Sequence, residues 1–346
     1  MGWHPEGLGP VDDARADFGR VLDRMFSAAD TPSAVRAWAR GEHGPGRALW
    51  ERAARAGVFG LVVPEAYGGA GPLPVETGVA FVELGRHAVP GPLVETVAAA
   101  ALLGRLARSG VAGPAERWLA PVGAGEAMLT LALPGGGPYA LDADAAHAVL
   151  AVSGDDVLRR AAGHGPVQPS LDPARRLARA REGGEVLAAG PTVREAAAWA
   201  GDWAAFTTAA QALGVGLALL ERTVAYAKRR TQFGVAIGSF QAVKHRLADA
   251  LIGLEFAGPL LHGAAVALAT GPSRRASASA EVAAAKFAAC DAAYAAARTA
   301  LQVHGAIGYT AEYDLSLWIG KARALRSAWG TPAECRAKVL QASMLH

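Results

Sequence analysis

The segment 276–305, ASASAEVAAAKFAACDAAYAAARTALQVHG, is dominated by alanine and carries few large side chains. Alanine has the highest helix propensity, and helices without large side chains can approach each other closely. The segment therefore predicts a long helix in a bundle, whose outer face can also form a subunit interface. The same alanine content is typical of a GC-rich coding genome, and in that interpretation it carries no function.

The periodicity of apolar residues divides the 346-residue chain into three parts. In residues 1–120, runs such as VETGVAFVELGRHAV place apolar residues at helix spacing. In residues 121–191, short runs such as AMLTLAL and AHAVLAVSG lie between glycine- and proline-rich turns and predict strands. In residues 192–346 long helical patterns return, and only Pro259 interrupts them before Pro272. The sequence thus predicts a mainly helical protein with an N-terminal helical domain, a short middle β domain and a C-terminal helical bundle.

Composition and charge exclude several classes of function. The apolar fraction is 52% and the charged fraction 19%, below the roughly 25% of average soluble domains, which indicates oligomerisation. The net charge of +3 is spread along the chain, so no nucleic-acid surface is predicted. Two cysteines are too few for a disulfide framework and favour the cytoplasm. We expect neither a secretory signal in residues 1–18 nor a membrane span.

Residues 225–249, AYAKRRTQFGVAIGSFQAVKHRLAD, combine a basic helix end with an irregular turn. An arginine at such a junction can bind a phosphate in a bidentate manner, and Gly234 lets the backbone approach a ligand closely. We expect a new helix after the turn, opened by Ser239 and carrying Gln241. By spacing alone, the basic residues could equally well be cations that stabilise a helix C-terminus.

Residues 302–323, QVHGAIGYTAEYDLSLWIGKAR, place two glycines directly after the long alanine-rich helix. Gln302 supplies an amide at the end of that helix, and Gly305 and Gly308 permit a tight turn beside a ligand. A glycine turn of this kind is weak evidence when it stands alone.

Taken together, these segments resemble the acyl-CoA dehydrogenase family over nearly the whole chain. GVFGLVVPEAYGGAG (57–71) looks like the family's N-terminal motif, RRTQFGVAIGSFQ (229–241) its Arg-x-x-Phe-Gly segment, and QVHGAIGYTAEYDL (302–315) its C-terminal glycine motif. The resemblance implies the family's three-domain fold: an N-terminal helical domain, a middle β-barrel or sandwich domain and a C-terminal four-helix bundle. The α, β, α order predicted from periodicity agrees with it.

The resemblance also implies a shared cofactor, flavin adenine dinucleotide (FAD), at a subunit interface. By motif position, Arg230 would pair with the pyrophosphate of a flavin seated mainly in the partner, and Phe233 and Gln241 would line its adenine end. Gln302 and Gly305 would close on the phosphates and the ribityl chain, and Thr331 is also assigned to the cofactor site. The family's second glycine is replaced by Ala306 here.

The catalytic base that the resemblance requires is missing. Family members oxidise acyl-CoA thioesters to 2-enoyl-CoA, and in most of them a Glu directly before a Gly-Thr pair removes the α-proton. That position is Trp329, whose indole cannot accept a proton. In a minority the Glu lies near the start of an earlier helix, which corresponds to Ala204. Asp202, two residues away, is a weak candidate for a displaced base and more typical of a helix N-cap or first turn.

The predicted β domain departs from the family as well. The corresponding stretch, LTLALPGGGPYALDADA (129–145), lacks the Glu and the Gly-Ser-Asp end of the family's flavin-binding motif. The chain thus retains what it would lend to a neighbour's flavin and lacks the base. It resembles the short, base-lacking subunit of bacterial α2β2 acyl-CoA dehydrogenases that degrade lipid or steroid side chains.

From this resemblance we expect a heterotetramer with a longer catalytic subunit, an acyl-CoA substrate and electron-transfer flavoprotein as the acceptor. Two alternatives stay open. One is a self-sufficient flavoenzyme of the same fold, an oxidase or monooxygenase that uses Asp202 or another base. The other is a structural or acyl-CoA-binding module without flavin.

No metal site is predicted. His245 and His304, the histidines of the two motif segments, have no partner at metal-ligand spacing and are interpreted as surface or packing residues. The basic stretch SLDPARRLARARE (170–182) could contact a CoA phosphate, although a solvated strand-turn surface is the more ordinary interpretation.

Overall fold

A computed structural model describes residues 13–270 and 275–344. They fold as two compact units. One consists of residues 25–77 and 89–207, and the other of residues 13–24, 78–88, 208–270 and 275–344. The secondary structure is helical up to residue 123, contains strands between residues 129 and 189, and is helical again from residue 191. The mainly helical fold class with a small β region is confirmed. Residues 1–12, which belong to the segment expected to lack a secretory signal, lie outside the described residues. Pro272 lies outside them as well.

From residue 13 onward, six α-helices precede the strands: α1 (Asp13–Ser27), α2 (Thr31–Ala39), α3 (Gly44–Arg55), α4 (Pro74–Arg86), α5 (Leu93–Arg108) and α6 (Gly113–Gly123). Local signals explain several of their starts. Asp30 caps α2 by accepting a 3.1 Å hydrogen bond from the backbone N–H of Ser33. Prolines in the first turn of α2, α3 and α6 cost no hydrogen bond, because those N–H groups have no partner within the helix.

Six short strands follow: β1 (Leu129–Ala132), β2 (Ala140–Leu141), β3 (Ala148–Val152), β4 (Val157–Arg160), β5 (Leu177–Ala178) and β6 (Glu185–Ala189). They form a four-stranded sheet of order β1-β3-β4-β6 and a two-stranded sheet of β2 and β5. The β1–β3 pair is parallel and starts at Leu129 opposite Ala148, whereas β3–β4 and β4–β6 are antiparallel.

The buried hydroxyl of Thr96 joins α5 to β1. It donates to the carbonyl of Leu129 at 2.7 Å and accepts from the N–H of the same residue at 3.1 Å. The helix thereby satisfies both backbone groups of the first strand residue, which fixes the position of the sheet on α5.

After the strands come α7 (Pro191–Arg229), the hairpin strands β7 (Thr231–Gln232) and β8 (Val235–Ala236), and α8 (Gln241–Ala269). The chain ends with α9 (Arg275–His304), α10 (Leu315–Leu325) and α11 (Pro332–Ser343). Helix α9 is the centre of this bundle, since α8, α10 and α11 all pack against it. It coincides with the alanine-rich segment, as the propensity of alanine predicts.

Small residues allow α4 and α7 to approach closely. A Cβ atom added at Gly214 would collide with the carbonyl oxygen of Val82, and one added at Gly85 would collide with that of Gln211. The two glycines therefore let the backbones of the two helices touch, which larger side chains would prevent.

The structure corrects three expectations about the C-terminal helices. Helix α8 continues through Pro259 instead of being interrupted there. Its N-cap is Phe240 and not Ser239, whose hydroxyl donates to the carbonyl of Ala236 at 2.7 Å. Asp202 does not lie at a helix start, because α7 already begins at Pro191.

Two helices, α7 and α8, are long and apolar enough to cross a membrane by length and composition. The apolar window of α7 is entirely buried inside the protein, as in the core helix of a soluble enzyme, and that of α8 is 39% buried. The expectation that no segment is long enough overlooked α7, whose uncharged stretch 203–220 lies inside the fold.

Candidate functional site

The end of α7 presents Arg230 beside a tight hairpin. The backbone N–H of Arg230 donates to Tyr226 at 2.8 Å, and its carbonyl accepts from Ile237 at 2.8 Å, so Arg230 is fixed at the base of β7 and β8. Phe233 and Gly234 form the turn with φ of 54° and 79°. Two successive left-handed residues are typical of the two-residue turns that join paired strands.

The hairpin exposes an aromatic side chain. Phe233 is 93% exposed, and its ring lies edge-on to that of Phe240 at a centroid distance of 6.3 Å. Gln241, the first residue of α8, is also exposed. Arg230, Phe233 and Gln241 therefore lie together along one stretch of surface, and an exposed phenylalanine of this extent is typical of a residue that meets a partner or ligand.

A cleft between α8 and α9 brings Gln302 and Gly305 together with two arginines. It has a volume of about 550 Å³ and is lined by Arg246, Ala295, Arg298, Thr299, Leu301, Gln302, Gly305 and Tyr309. Arg298 lies one helical turn before Gln302, so both side chains project from the same face of α9. Gly305, with φ of 64°, ends the helix at the edge of the cleft.

The two guanidinium groups make this cleft suitable for a phosphate-bearing ligand. Guanidinium groups bind phosphates through paired hydrogen bonds, and the amide of Gln302 adds further donors. Arg230, Phe233 and Gln241 are not among the described residues that line the cleft. Sequence reasoning identified Gln302 and Gly305 but missed Arg246 and Arg298, although the helical spacing from Gln302 could have pointed to Arg298.

Trp329 stands in a loop that a buried lysine holds in place. The ammonium of Lys286, on α9, donates to the carbonyls of Leu325 at 3.1 Å, Gly330 at 3.2 Å and Arg326 at 3.5 Å. Trp329 itself has φ of 55°, a left-handed conformation that costs roughly 1–2 kcal/mol for a residue with a Cβ. The clamp on both sides of Trp329 thus fixes an unfavourable backbone at the position where the base was expected.

Thr331 and Glu334 serve as the cap of α11. The hydroxyl of Thr331 accepts from the N–H of Glu334 at 3.3 Å and donates to its carboxylate at 2.8 Å, while that carboxylate also accepts from the Thr331 N–H at 2.7 Å. These bonds hold the pKa of Glu334 below its usual value. Glu334, the acidic residue that follows Trp329 in the chain, is thus engaged in a capping box instead of being available to a substrate.

The second expected base position lies inside a closed core. Ala204 is fully buried on α7, and Asp202 is only 4% exposed. The neighbouring Trp199 and Trp203 line a cavity of about 10 Å³, which is roughly the space of a single water molecule. This cavity, lined by described residues of one compact unit, is too small for an acyl chain.

His304 is a packing residue. Its ring stacks on Tyr226 at a centroid distance of 4.0 Å, and its Nδ1 lies 2.8 Å from the carbonyl of Ala300. Burial lowers its pKa, which favours the neutral imidazole. Because a carbonyl can only accept, Nδ1 carries the proton.

The basic stretch 170–182 contains one internal hydrogen bond at Asp172 and is tied to other parts of its compact unit by Arg176. Asp172 is buried and accepts from the N–H of Ala174 at 3.0 Å. The guanidinium of Arg176 donates to the carboxylate of Asp144 at 2.7 and 3.0 Å and to the carbonyl of Ala39 at 3.0 Å. Arg176 is therefore committed to structural contacts and not free to bind a CoA phosphate.

The fold, the arginine-lined cleft and the comparisons with known proteins define a class. Residues 20–126 match the N-terminal domain of the acyl-CoA dehydrogenases, and residues 194–344 match their C-terminal domain. The chain belongs to the acyl-CoA dehydrogenase family, FAD-dependent oxidoreductases that act on acyl-CoA.

Among its relatives is the acyl-CoA dehydrogenase IpdE2 of Mycobacterium tuberculosis, 33% identical over 305 residues, which cover 88% of this chain and 89% of the relative. The crystal structure of the ChsE4–ChsE5 complex from the same organism has a TM-score of 0.80 at 25% identity and covers 97% of this chain and 98% of its own. A glutaryl-CoA dehydrogenase from Mycobacterium smegmatis in complex with FADH2 shares the fold, with a TM-score of 0.81 at 18% identity, covering 100% of this chain and 99% of its own.

Proposed function

We propose that this chain is the non-catalytic subunit of a heteromeric acyl-CoA dehydrogenase and completes the FAD site of a longer subunit that carries the catalytic Glu. One observation carries the proposal. Both family positions for the base hold side chains that cannot accept a proton, Trp329 and Ala204, whereas the surface around Arg230 and the cleft at Gln302 retain cationic and amide groups.

Removal of an α-proton from a thioester requires an ionisable oxygen poised at that carbon. Asp202 is buried on α7, and the carboxylate of Glu334 accepts hydrogen bonds from Thr331 in the cap of α11. Neither carboxylate is therefore suited to the task. The proton would be taken by the partner subunit, so this chain alone would be inactive.

The residues of the cleft fit the phosphates of FAD. Arg246, Arg298 and Gln302 would bind the pyrophosphate and its neighbouring hydroxyls, and Gly305 would allow close approach of the backbone. Arg230 would pair with the pyrophosphate, as the family resemblance implies, while Phe233 and Gln241 would contact the adenine end. Thr331 would add its remaining acceptor lone pair. When bound, FAD would serve as the hydride acceptor, and the residues of this chain would provide positive charge and hold the cofactor in place.

An apolar face on α8 supports a partner subunit. Ile252, Phe256 and Leu260 recur every four residues, and Phe256 is 73% exposed. Such a stripe covers apolar surface against a neighbouring helix in an oligomer. With that face covered, we expect a soluble, cytoplasmic heterotetramer that acts on lipid- or steroid-derived acyl-CoA and passes electrons to electron-transfer flavoprotein.

Co-expression tests the proposal. Purified alone, the chain should carry little flavin and show no acyl-CoA turnover; with a longer family member that carries the Glu, it should give a yellow, active complex. Arg298→Ala should lower the flavin content of that complex about tenfold, and Arg323→Ala, an exposed arginine of α10 outside the cleft, serves as the matched control.

Two results would contradict the proposal. A homomeric preparation with stoichiometric flavin and turnover that Asp202→Asn abolishes would establish a self-sufficient flavoenzyme. Equal flavin content in the Arg298→Ala, Arg230→Ala and unmodified complexes would favour a module that binds no flavin.

A further inference from the structure

Three side chains outside the cleft meet where α1 approaches the end of α4. Nε2 of His87 lies 2.9 Å from Oδ1 of Asp23. One carboxylate oxygen of Glu83 completes the cluster, and the three potential ligand atoms lie within 4.8 Å of one another. Glu83 and His87 are four residues apart, so they project from the same side of the chain at the end of α4. All three residues belong to one compact unit.

Glu83 is the unusual member of this cluster. The residue is only 8% exposed, and its Oε2 has no hydrogen-bond partner among the described residues. The nearest cationic nitrogen recorded for it is Nε of Arg86 at 3.6 Å, which is too long for a hydrogen bond. A buried carboxylate oxygen left in this state lacks the compensation that burial of a charge requires.

The surrounding charges supply only part of that compensation, through the 3.6 Å ion pair with Arg86. Arg86 directs its Nη2 to both carboxylate oxygens of Glu221, at 2.8 and 2.9 Å. Arg222, the other arginine facing the cluster from α7, lies over the ring of Trp318 at 3.9 Å. Burial, together with the charges of Asp23 and Glu221, raises the pKa of Glu83 to about 8 against the opposing effect of Arg86.

The imidazole of His87 is suited to be a ligand. One of its ring nitrogens lies within 4.8 Å of a carboxylate oxygen of both Asp23 and Glu83. One imidazole and two carboxyl groups offer one nitrogen and two oxygens, a ligand set that Zn²⁺ accepts while leaving a fourth position for water.

We propose that Asp23, Glu83 and His87 form a binding site for a divalent transition metal ion such as Zn²⁺, which fastens α1 to α4. At Zn–ligand distances of about 2.0–2.1 Å, tetrahedral ligands lie roughly 3.3 Å apart. The Asp23–His87 pair at 2.9 Å must therefore open slightly, and any pair as far apart as 4.8 Å must close by about 1.5 Å, with the metal ion replacing the hydrogen bond between Asp23 and His87. The ion then adds a closer positive charge to the one that Arg86 places 3.6 Å from the Glu83 carboxylate.

The site was invisible to sequence reasoning for a simple reason. Only the Glu83–His87 pair has a ligand spacing, and the third ligand lies on a different helix far away in the chain. The proposal is independent of the flavin site, and its test does not depend on enzymatic activity.

The test measures binding of Zn²⁺ to the full-length protein after removal of metals with a chelator. We expect one Zn²⁺ per chain in competition with a chromophoric chelator, a rise in melting temperature on addition of Zn²⁺, and at least tenfold weaker binding by His87→Ala and Glu83→Gln. His245→Ala, which removes an exposed imidazole on α8, should bind Zn²⁺ like the unmodified protein.

Asp23→Asn keeps the test valid if the variants at buried positions fail to fold. Its side chain is 45% exposed, so the variant should fold normally and still lose most of the affinity. Co²⁺ in place of Zn²⁺ should give visible absorption bands that this variant lacks. Equal Zn²⁺ binding by the unmodified, His87→Ala and Asp23→Asn proteins would overturn the proposal. Loss of the bound Zn²⁺ in His245→Ala would also overturn it.

Discussion

Replacement of Asp142 by Asn should stabilise the protein increasingly as the pH rises. Asp142 follows β2 and is completely buried, with the N–H of Arg176 donating to its Oδ1 at 3.2 Å. Burial raises its pKa from 3.8 to about 7 and Glu95 adds to this, whereas Trp38, Arg176 and Arg175 act in the opposite direction. Asp142 has φ of 52°, a conformation that asparagine tolerates well, so the substitution adds no backbone strain.

The direction and magnitude of this change in the free energy of unfolding follow from proton binding. Below pH 3.8 the carboxyl is protonated in both the folded and the unfolded chain. Between 3.8 and about 7 the unfolded chain releases the proton and the folded chain keeps it, so the free energy of unfolding falls as the pH rises. At 1.36 kcal/mol per pH unit, the full loss is about 4 kcal/mol, of which about 3 kcal/mol falls above pH 5.

The measurement is urea unfolding of Asp142→Asn and the unmodified protein at several pH values from 5 to 8. The difference in free energy of unfolding should grow by about 3 kcal/mol in favour of the variant over this range. The control is Asp155→Asn, an exposed residue whose pKa is lowered by the Ser153 hydroxyl, so its difference should not change with pH. A constant difference for Asp142→Asn would mean that this carboxyl is ionised in the folded protein, and the reasoning would be refuted.

Four further substitutions test the packing. Gly214→Ala should destabilise the protein by about 3 kcal/mol, because the new methyl group meets the backbone of α4; Gly201→Ala, on the same helix in open space, should stabilise it by about 1 kcal/mol. Lys286→Met should cost about 3 kcal/mol by leaving the carbonyls around Trp329 unpaired, measured as a lower urea midpoint. Thr96→Val should cost about 2 kcal/mol by removing the hydroxyl that joins α5 to β1. Equal stability of the two glycine variants, or no loss in either of the others, would contradict these contacts.

Much of the fold could be predicted from periodicity. The runs AMLTLAL and AHAVLAVSG contain β1 and β3, and the alanine-rich segment is α9. Strands β2 and β5 were missed, because two residues carry no measurable alternation. The continuity of α8 through Pro259 was missed as well, since local propensity cannot register that the packing of a long helix compensates for one lost hydrogen bond.

The site divides in the same way. Gln302 and Gly305 could be predicted from a motif, because they are close in sequence at the C-terminal end of one helix. Arg246 could not be predicted, because it joins the cleft only when α8 packs against α9, whereas the helical spacing from Gln302 could have pointed to Arg298. The assignment of Asp202 to a helix start failed for a related reason: whether a helix has already begun depends on the preceding residues and on the core that buries them.

The sequence by itself determined which chemical groups are present. Trp329 and Ala204 cannot take a proton in any fold, so the identity of these side chains already excludes the usual base. The tertiary structure alone decided which groups meet: the ammonium of Lys286 on the loop of Trp329, and Asp23 beside Glu83 and His87. The physical reason is that spacing along one helix fixes neighbours within it, whereas contacts between helices depend on how small residues such as Gly85 and Gly214 let the backbones pack.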